Sequence, residues 1–519
     1  MKKLVSALLA LLLALSVLPC AIGEDAPLTP AWQRMNDITI GWNLGNTFDA
    51  FDKNEFGSAG LSSETIWGNP YTKKPLFELL RSLGFDTVRI PVTWYTHMDE
   101  NYTVDPAWMA RVHEVVDMAL ECDMYVILNI HHDTGEKGWL HASKTGLEEN
   151  KRIFTLLWQQ IAESFRDYDD RLMFENFNEI LDEFNSWSGA NAVSGPITNE
   201  LSQLFVDTVR ATGGNNDERI LVINTYCAGG SSNTVNAFVL PADSAEGCLI
   251  AGVHMYVPYH FTAGEYPRTT GWKPNDIDTY FKNVYNAFIS KGIPCLAGEF
   301  GAEDKQNDYE RETWAKYYVK TALDLGIKCL WWDNGSGFRL VNRRSGTVAF
   351  PYLIDVMVRT AQGEDVEVTL RDGADDANLC SDDTKWNLWV DKSQGGLADI
   401  DYDSGVVSIT VQKPGASPWH VQPTYSYITL EKGADYSVEF DVSASRALTF
   451  DYYFQQSYGS YSAYAGGSVD ADTQTVHVTQ TFTMDSNTDE RVALVFNIGA
   501  QEGDTPYTVN ISGLRLVKN

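Results

Sequence analysis

From residue 28 to residue 362, short apolar runs alternate with stretches whose apolar residues recur at helical spacing. The runs are ITIGWNLGN (38–46), DTVRIPVTW (86–94), MYVILNIHH (124–132), RLMFENFNEI (171–180), RILVINTY (219–226), LIAGVHMY (249–256), PCLAGEFG (294–301) and KCLWWDNG (328–335). Each is almost continuously apolar, as a parallel strand covered on both faces should be. Between most of them lies a helical pattern. The clearest, over 105–121, has Asp105 as N-cap, Pro106 in the first turn, and Trp108, Val112, Val115 and Ala119 on one face. Eight strand–helix units predict an α/β fold of the (β/α)8 type, a TIM barrel. A doubly wound open sheet is the alternative, but no glycine-rich phosphate loop follows the first strand.

Beyond residue 366 the period changes to two. YSVEFDVSA alternates Tyr436, Val438, Phe440 and Val442 with polar neighbours, and LTFDYYF and RVALVFNIG do the same. Residues 366–519 therefore read as an antiparallel β-sandwich.

The first 23 residues follow neither pattern. Lys2 and Lys3 precede an apolar run from Leu4 to Leu18, and Ala21-Ile22-Gly23 offers a small-x-small cleavage site. This is the pattern of a secretory signal peptide, and the run is short for a membrane span. The expectation is a secreted, extracellular monomer with no membrane attachment after cleavage. Losing Lys2 and Lys3 takes the formal charge from −31 to −33. So acidic a chain repels phosphate backbones, which argues against a nucleic-acid partner, while a neutral polymer is not repelled. The six cysteines left, Cys122, Cys227, Cys248, Cys295, Cys329 and Cys380, show no C-x-x-C spacing. They read as mostly buried free thiols rather than as a disulfide framework or a zinc site.

A barrel gathers its chemistry at the C-terminal ends of its strands. Those ends carry Asn46, Arg89, His131, Asn178 with Glu179, His254 with Tyr256, Glu299 and Trp332. Two carboxylates facing each other across a cleft are what cleavage of a glycosidic bond needs, and the aromatic faces suit pyranose rings. The run RLMFENFNEI holds a second glutamate, Glu175. Strand alternation puts it on the same side as Glu179 but deeper, inside the barrel wall, paired with a basic group such as Arg89. His131, His132 and Asp133 with His254 invite a metal reading, but no HExxH or Cys/His spacing supports it, and no metal is assigned.

These residues stand in stretches that resemble glycoside hydrolase family 5, in its bacterial endoglucanase and xyloglucanase branch. The stretches are GWNLGNTFDA, ETIWGNP, GFDTVRIPVTW, DPAWMARVHEVVDMAL, YVILNIHHD, LMFENFNE, GVHMYVPYHF, AGEFG and WWDNG, in order. The resemblance implies a retaining endo-β-1,4-glucanase acting by double displacement without a cofactor, on a β-glucan. Glu179 matches the family's acid/base and Glu299 its nucleophile. Arg89 matches the arginine that keeps the nucleophile ionised, and Asn178 the asparagine that contacts the 2-hydroxyl of the cleaved sugar. His131, His254 and Tyr256 match the polar shell, and Trp332 the platform under that sugar. Asn46 and Asp49 fall where the branch contacts the next sugar, with Trp67 and His132 as further cleft contacts. Preference for xyloglucan, mixed-linkage glucan, mannan or xylan stays open, as does a non-catalytic glycan-binding role. One departure is visible: the family usually has proline after the acid/base, and here stands Ile180. The role of Trp187, a sugar platform or a loop anchor, is open too. The C-terminal half resembles jelly-roll carbohydrate-binding modules in SPWHVQPTYSYITLEKGADYSVEFDVSA. Tyr425, Tyr427, Tyr453, Tyr458, Tyr461 and Tyr464 lie in this tyrosine-rich half, and the resemblance leaves room for a structural calcium.

Overall fold

The computed structural model describes residues 28–263, 271–305, 307–368, 378–380, 385–403, 406–457, 459–503 and 505–519. The leader expected over 1–23 and Tyr458 lie outside them. The chain divides into two compact units, one of residues up to Gly346 with Phe350–Val368, the other of Thr347–Ala349 with the residues from 369 on.

In the first unit the eight apolar runs form a closed parallel barrel in chain order. Its strands are β1 (Gly41–Leu44), β2 (Thr87–Ile90), β3 (Tyr125–Asn129), β4 (Leu172–Glu175), β5 (Leu221–Gly229), β6 (Leu249–His254), β7 (Cys295–Phe300) and β8 (Lys328–Asp333). The helix over Pro106–Glu121 begins where its cap predicts, with the Asp105 carboxylate accepting from the Ala107 N–H at 2.8 Å. At the bottom, the helix Pro30–Asp37 presses Ala31 and Met35 against Ile127, Met173, Val222, Ile250, Leu296 and Leu330. These are inward residues of six successive strands. Two positions further along each strand, the next inward layer changes character. It holds Asn129, Glu175, Asn224, Gly252, Gly298 and Trp332, joined from β1 and β2 by Asn43 and Arg89. An apolar floor thus supports a polar layer directly beneath the mouth.

The strand expected over 171–180 ends at Glu175. Past that point the Asn176 side chain takes over from the ladder, its Oδ1 accepting from the N–H groups of Phe177 (2.9 Å) and Asn224 (3.0 Å). Strand alternation therefore does not extend to Glu179. That residue stands above the sheet, on a segment tied by the Asn178 N–H to the Ile130 carbonyl.

The second unit is a sandwich of two five-stranded antiparallel sheets. One has the order Trp386–Val390, Val421–Leu430, Asp489–Asn497, Leu448–Gln456, Ala463–Ala471. The other has the order Gly396–Asp403, Val406–Pro414, Tyr507–Lys518, Asp435–Ala444, Val476–Thr483. The alternating residues Tyr436, Val438, Phe440 and Val442 all enter the core, joined by Tyr425, Tyr452, Phe454 and Phe496. Of the singled-out tyrosines, Tyr425 is buried, Tyr453 and Tyr464 are half-buried, and Tyr427 and Tyr461 are exposed. The six cysteines among the described residues are free, and five of them are buried.

Candidate active site

Arg89, rising from β2, is fully buried, and all five of its N–H donors are used. Nε and Nη2 form a fork on Glu175, both at 2.7 Å. Nη2 also reaches Asn178 Oδ1 (2.9 Å), while Nη1 donates to Asn43 Oδ1 (3.0 Å) and to Glu299 Oε1 (2.7 Å). Glu175 accepts two further bonds, from the Asn129 amide (3.0 Å) and the Asn224 amide (2.9 Å). Burial works to raise its carboxyl pKa, but the Arg89 charge and these hydrogen bonds outweigh it and hold the group below the usual range. Glu175 is thus a permanent counter-charge that lets Arg89 stay in the barrel and spend its remaining edge on Glu299.

Glu299 ends on two fixed donors, Arg89 at Oε1 and the Tyr256 hydroxyl at Oε2 (2.8 Å). The strand registers on both sides of β7 break beside it, between Val253 and His254 and between Ala297 and Phe300. Such irregularities re-aim side chains next to active sites. Burial raises the Glu299 carboxyl above its usual range, and the neighbouring Glu179 charge adds to this, while His254, Arg89 and Tyr256 pull against it and limit the rise. Burial, with Glu299 and Glu179 adding, also raises the Tyr256 phenol well above its ordinary value, so it stays a proton donor.

His254 joins the two carboxylates. Its Nδ1 lies 2.8 Å from Glu179 Oε1 and 3.7 Å from Glu299 Oε2. Burial alone would lower its pKa, but the two carboxylates raise it. One oxygen of Glu179, one of Glu299 and a ring nitrogen of His254 all lie within 4.8 Å of one another. The Glu179 side chain is 22 % exposed and that of Glu299 6 %. The first therefore faces the cleft more openly than the second.

The cleft wall continues from this centre. The rings of Trp332 and His131 are nearly parallel, 5.7 Å between centroids. His131 packs edge-on against His132, which meets Trp67 (5.6 Å) and Phe51 (5.8 Å). Asp49 is fully buried beside them, its carboxylate accepting from the Asn46 N–H (3.1 Å) and the Thr47 N–H (2.7 Å), with His132 Nε2 at 3.6 Å. Asp49 thereby shapes the loop after β1, in which Asn46 takes a left-handed conformation (φ 55°). Trp187 stands apart, half exposed, its Nε1 donating to Glu136 at 3.2 Å.

Residues 49–337 of this barrel, with its paired carboxylates, match the model of the cellulase family, glycosyl hydrolase family 5. The chain belongs to glycoside hydrolase family 5. Residues 352–506 match the model of a carbohydrate binding domain, the match beginning on the last helix of the first unit. Among relatives of this family 5 chain, an endoglucanase B of Neocallimastix patriciarum is 40% identical over 339 residues, which span 63% of this chain and 70% of that one. A broad specificity endoglucanase of Ruminococcus champanellensis, solved with bound cellotriose, superposes with a TM-score of 0.61 at 39% identity, over 65% of this chain and 100% of that one. A xyloglucan-specific endo-beta-1,4-glucanase from a metagenomic library, in complex with cellotriose, does so with a TM-score of 0.59 at 36% identity, over 63% and 98%.

Of the residues singled out in the sequence, this family 5 barrel brings Arg89, Asn178, Tyr256 and Glu299 into one hydrogen-bonded network and sets the hydrogen-bonded pair Glu179–His254 against it at 3.7 Å from Glu299, with His131 and Trp332 alongside. Asn46, Asp49 and His132 form a second group beyond His131. The sequence reading passed over Asn43, Asn129 and Asn224, which satisfy Arg89 and Glu175. The available signal was an amide at an inward position of an otherwise apolar strand.

Among the described residues, two groups of three side chains come close enough to hold a metal, Glu179 with His254 and Glu299, and Asp49 with His131 and His132. In the second, Asn129 Oδ1 accepts from the Val92 N–H, so its NH2 group faces Glu175 and His131 Nδ1 (3.3 Å). Burial, then the charges of His132, Arg89 and His254, push the His131 pKa well down. His131 is therefore neutral with its proton on Nε2. It offers the cleft an N–H donor, which suits a hydroxyl better than a cation.

Proposed function

We propose that this family 5 chain is a retaining endo-β-1,4-glucanase, with Glu299 as nucleophile and Glu179 as general acid/base. The observation that carries the reading is the approach of the two carboxylates to within 4.8 Å. Retaining glycosidases hold their carboxyl groups about 5–5.5 Å apart, and inverting ones leave room for a water between them, about 6.5–9.5 Å. The different surroundings of the pair support the division of roles. Arg89 and Tyr256 stabilise the carboxylate form of Glu299 and fix its lone pairs. Glu179 is the more exposed and has no arginine partner in the network.

In the first step Glu299 attacks the anomeric carbon while Glu179 gives its proton to the departing glycosidic oxygen. A glycosyl ester on Glu299 results. In the second, Glu179 takes a proton from water, which attacks the same carbon and frees Glu299. Asn178, held by Arg89 through Oδ1, keeps its NH2 group for a sugar hydroxyl. Trp332 offers a flat apolar face and His131 an N–H donor.

The sandwich supports a glycan-holding role. On the outer face of the sheet containing Trp386–Val390, the register aligns Trp389 with Gln422, and Asn497 with Asp451 and Ser468. Gln422 donates to Asn497 at 2.7 Å, which joins the row. Trp389 is 57% exposed. A cavity of about 730 Å³ at one end is lined by Thr449, Asp451, Asp470, Asn497 and Gln501. An exposed aromatic beside a polar row suits a sugar chain. The leader-like N-terminus supports export.

The test is initial rates on carboxymethylcellulose, lichenan, xyloglucan, xylan and mannan, with Glu299→Ala as control. Hydrolysis of the β-1,4-linked glucans is expected to dominate and to vanish in the variant. Faster cleavage of xylan or mannan than of any glucan would overturn the substrate class.

A further inference from the structure

Ile180 stands where the family's acid/base glutamate is usually followed by proline, so something other than a fixed φ must set the course of the chain after Glu179. The structure supplies three restraints in succession. The Ile180 carbonyl accepts from the Cys227 N–H (2.9 Å), and the Leu181 carbonyl accepts from the Ala142 N–H (2.8 Å). The Asp182 N–H donates to the Tyr226 hydroxyl at 3.0 Å. That hydroxyl in turn donates to the Ser186 carbonyl at 2.7 Å, closing the turn from the other side. Tyr226 is 2% exposed, and burial pushes its phenol up to about 12, so the proton stays in place at any working pH.

Two of these three restraints are backbone pairs that trimming a side chain leaves in place. The third is a side chain, and the strand presenting it is distorted. Cys227 (φ 45°) and Ala228 (φ 46°) are both left-handed without being glycine. Successive residues of this kind are costly and persist where their surroundings over-determine them. The β5–β6 register breaks across the same residues, between Asn224 and Gly229. Asp182 finishes the turn, its carboxylate accepting from the N–H groups of Phe184 (3.1 Å) and Ser186 (3.0 Å) and from the Asn191 amide (3.1 Å). The turn carries Phe184 and Trp187, 80% and 51% exposed.

We infer that Tyr226 is a positioning residue for proton transfer, its phenol fixing the chain that leaves Glu179 and so the aim of that carboxyl at the departing oxygen. The inference rests on Glu179 being the acid/base.

The experiment compares the full chain and its Tyr226→Phe variant on two substrates. A soluble β-1,4-glucan needs its leaving sugar protonated. 2,4-Dinitrophenyl β-cellobioside does not, because its leaving group departs as a stable anion. In Tyr226→Phe, kcat/KM for the glucan is expected to fall about tenfold while that for the aryl glycoside stays within about twofold. Asp182→Ala, which loosens the same turn from its far end, is expected to give the same split and decides the matter if Tyr226→Phe does not fold. A loss shared equally by both substrates, or no loss on either, would overturn the inference. Glu179→Ala tests the underlying reading separately. It should lose kcat/KM for the glucan, keep kcat/KM for the aryl glycoside, and show on the latter a lowered kcat that azide restores, because the second step has lost its base. Equal loss on both substrates without azide rescue would instead remove the acid/base assignment.

Discussion

Arg89 places all five donors on protein acceptors, and this sets what its neighbours can do. With Glu175 saturating one edge, the other edge is free to hold Glu299 as a carboxylate. His254 is the group through which pH reaches this arrangement. Its folded-state pKa lies above the ordinary 6.5 because Glu299 and Glu179 outweigh its burial. A proton held more tightly folded than unfolded stabilises the fold fully below the unfolded value and fades as pH rises through the folded one. Melting temperature should therefore fall from pH 6.5 upward, and less steeply in His254→Gln. Parallel curves for the two proteins would contradict the coupling. At this scale the sequence was informative about charged and aromatic groups and silent about Asn43, Asn129 and Asn224. A buried amide in an apolar strand becomes meaningful only when its partners, tens of residues away, are known.

At the level of elements, periodicity revealed the architecture because burial enforces it. The eight strands and the capped helix over Pro106–Glu121 follow from which faces must leave water. Strand ends were less legible, since an asparagine side chain can replace a ladder partner, as Asn176 does beyond β4. Neighbouring strands also constrain each other in ways that no single run shows. A Cβ at Gly252 on β6 would lie 1.9 Å from Asn224 Oδ1 on β5, the amide that holds Glu175. Gly252→Ala is expected to cost about 1–3 kcal/mol by overpacking, read in urea denaturation, and to lower glucanase activity by displacing Asn224. Unchanged stability with unchanged activity would show that this layer relaxes freely.

For the whole molecule, a formal charge of −31 suits a neutral polymer better than a polyanion. Two units divide the work proposed here, cleavage in the barrel and retention of glycan on the sandwich. Trp389→Ala should weaken sedimentation of the full chain with insoluble β-glucan several-fold while leaving hydrolysis of a soluble glucan unchanged, since Trp389 belongs to the sandwich unit and the carboxylate pair to the barrel. Equal sedimentation of the two proteins would place retention elsewhere. The central claim, a covalent intermediate on one named carboxylate, is tested most directly by mass spectrometry after incubation with an activated 2-deoxy-2-fluoro-β-cellobioside. One label on the peptide containing Glu299 is the predicted result. No label despite turnover of the parent substrate, or a label on any other residue, would contradict it.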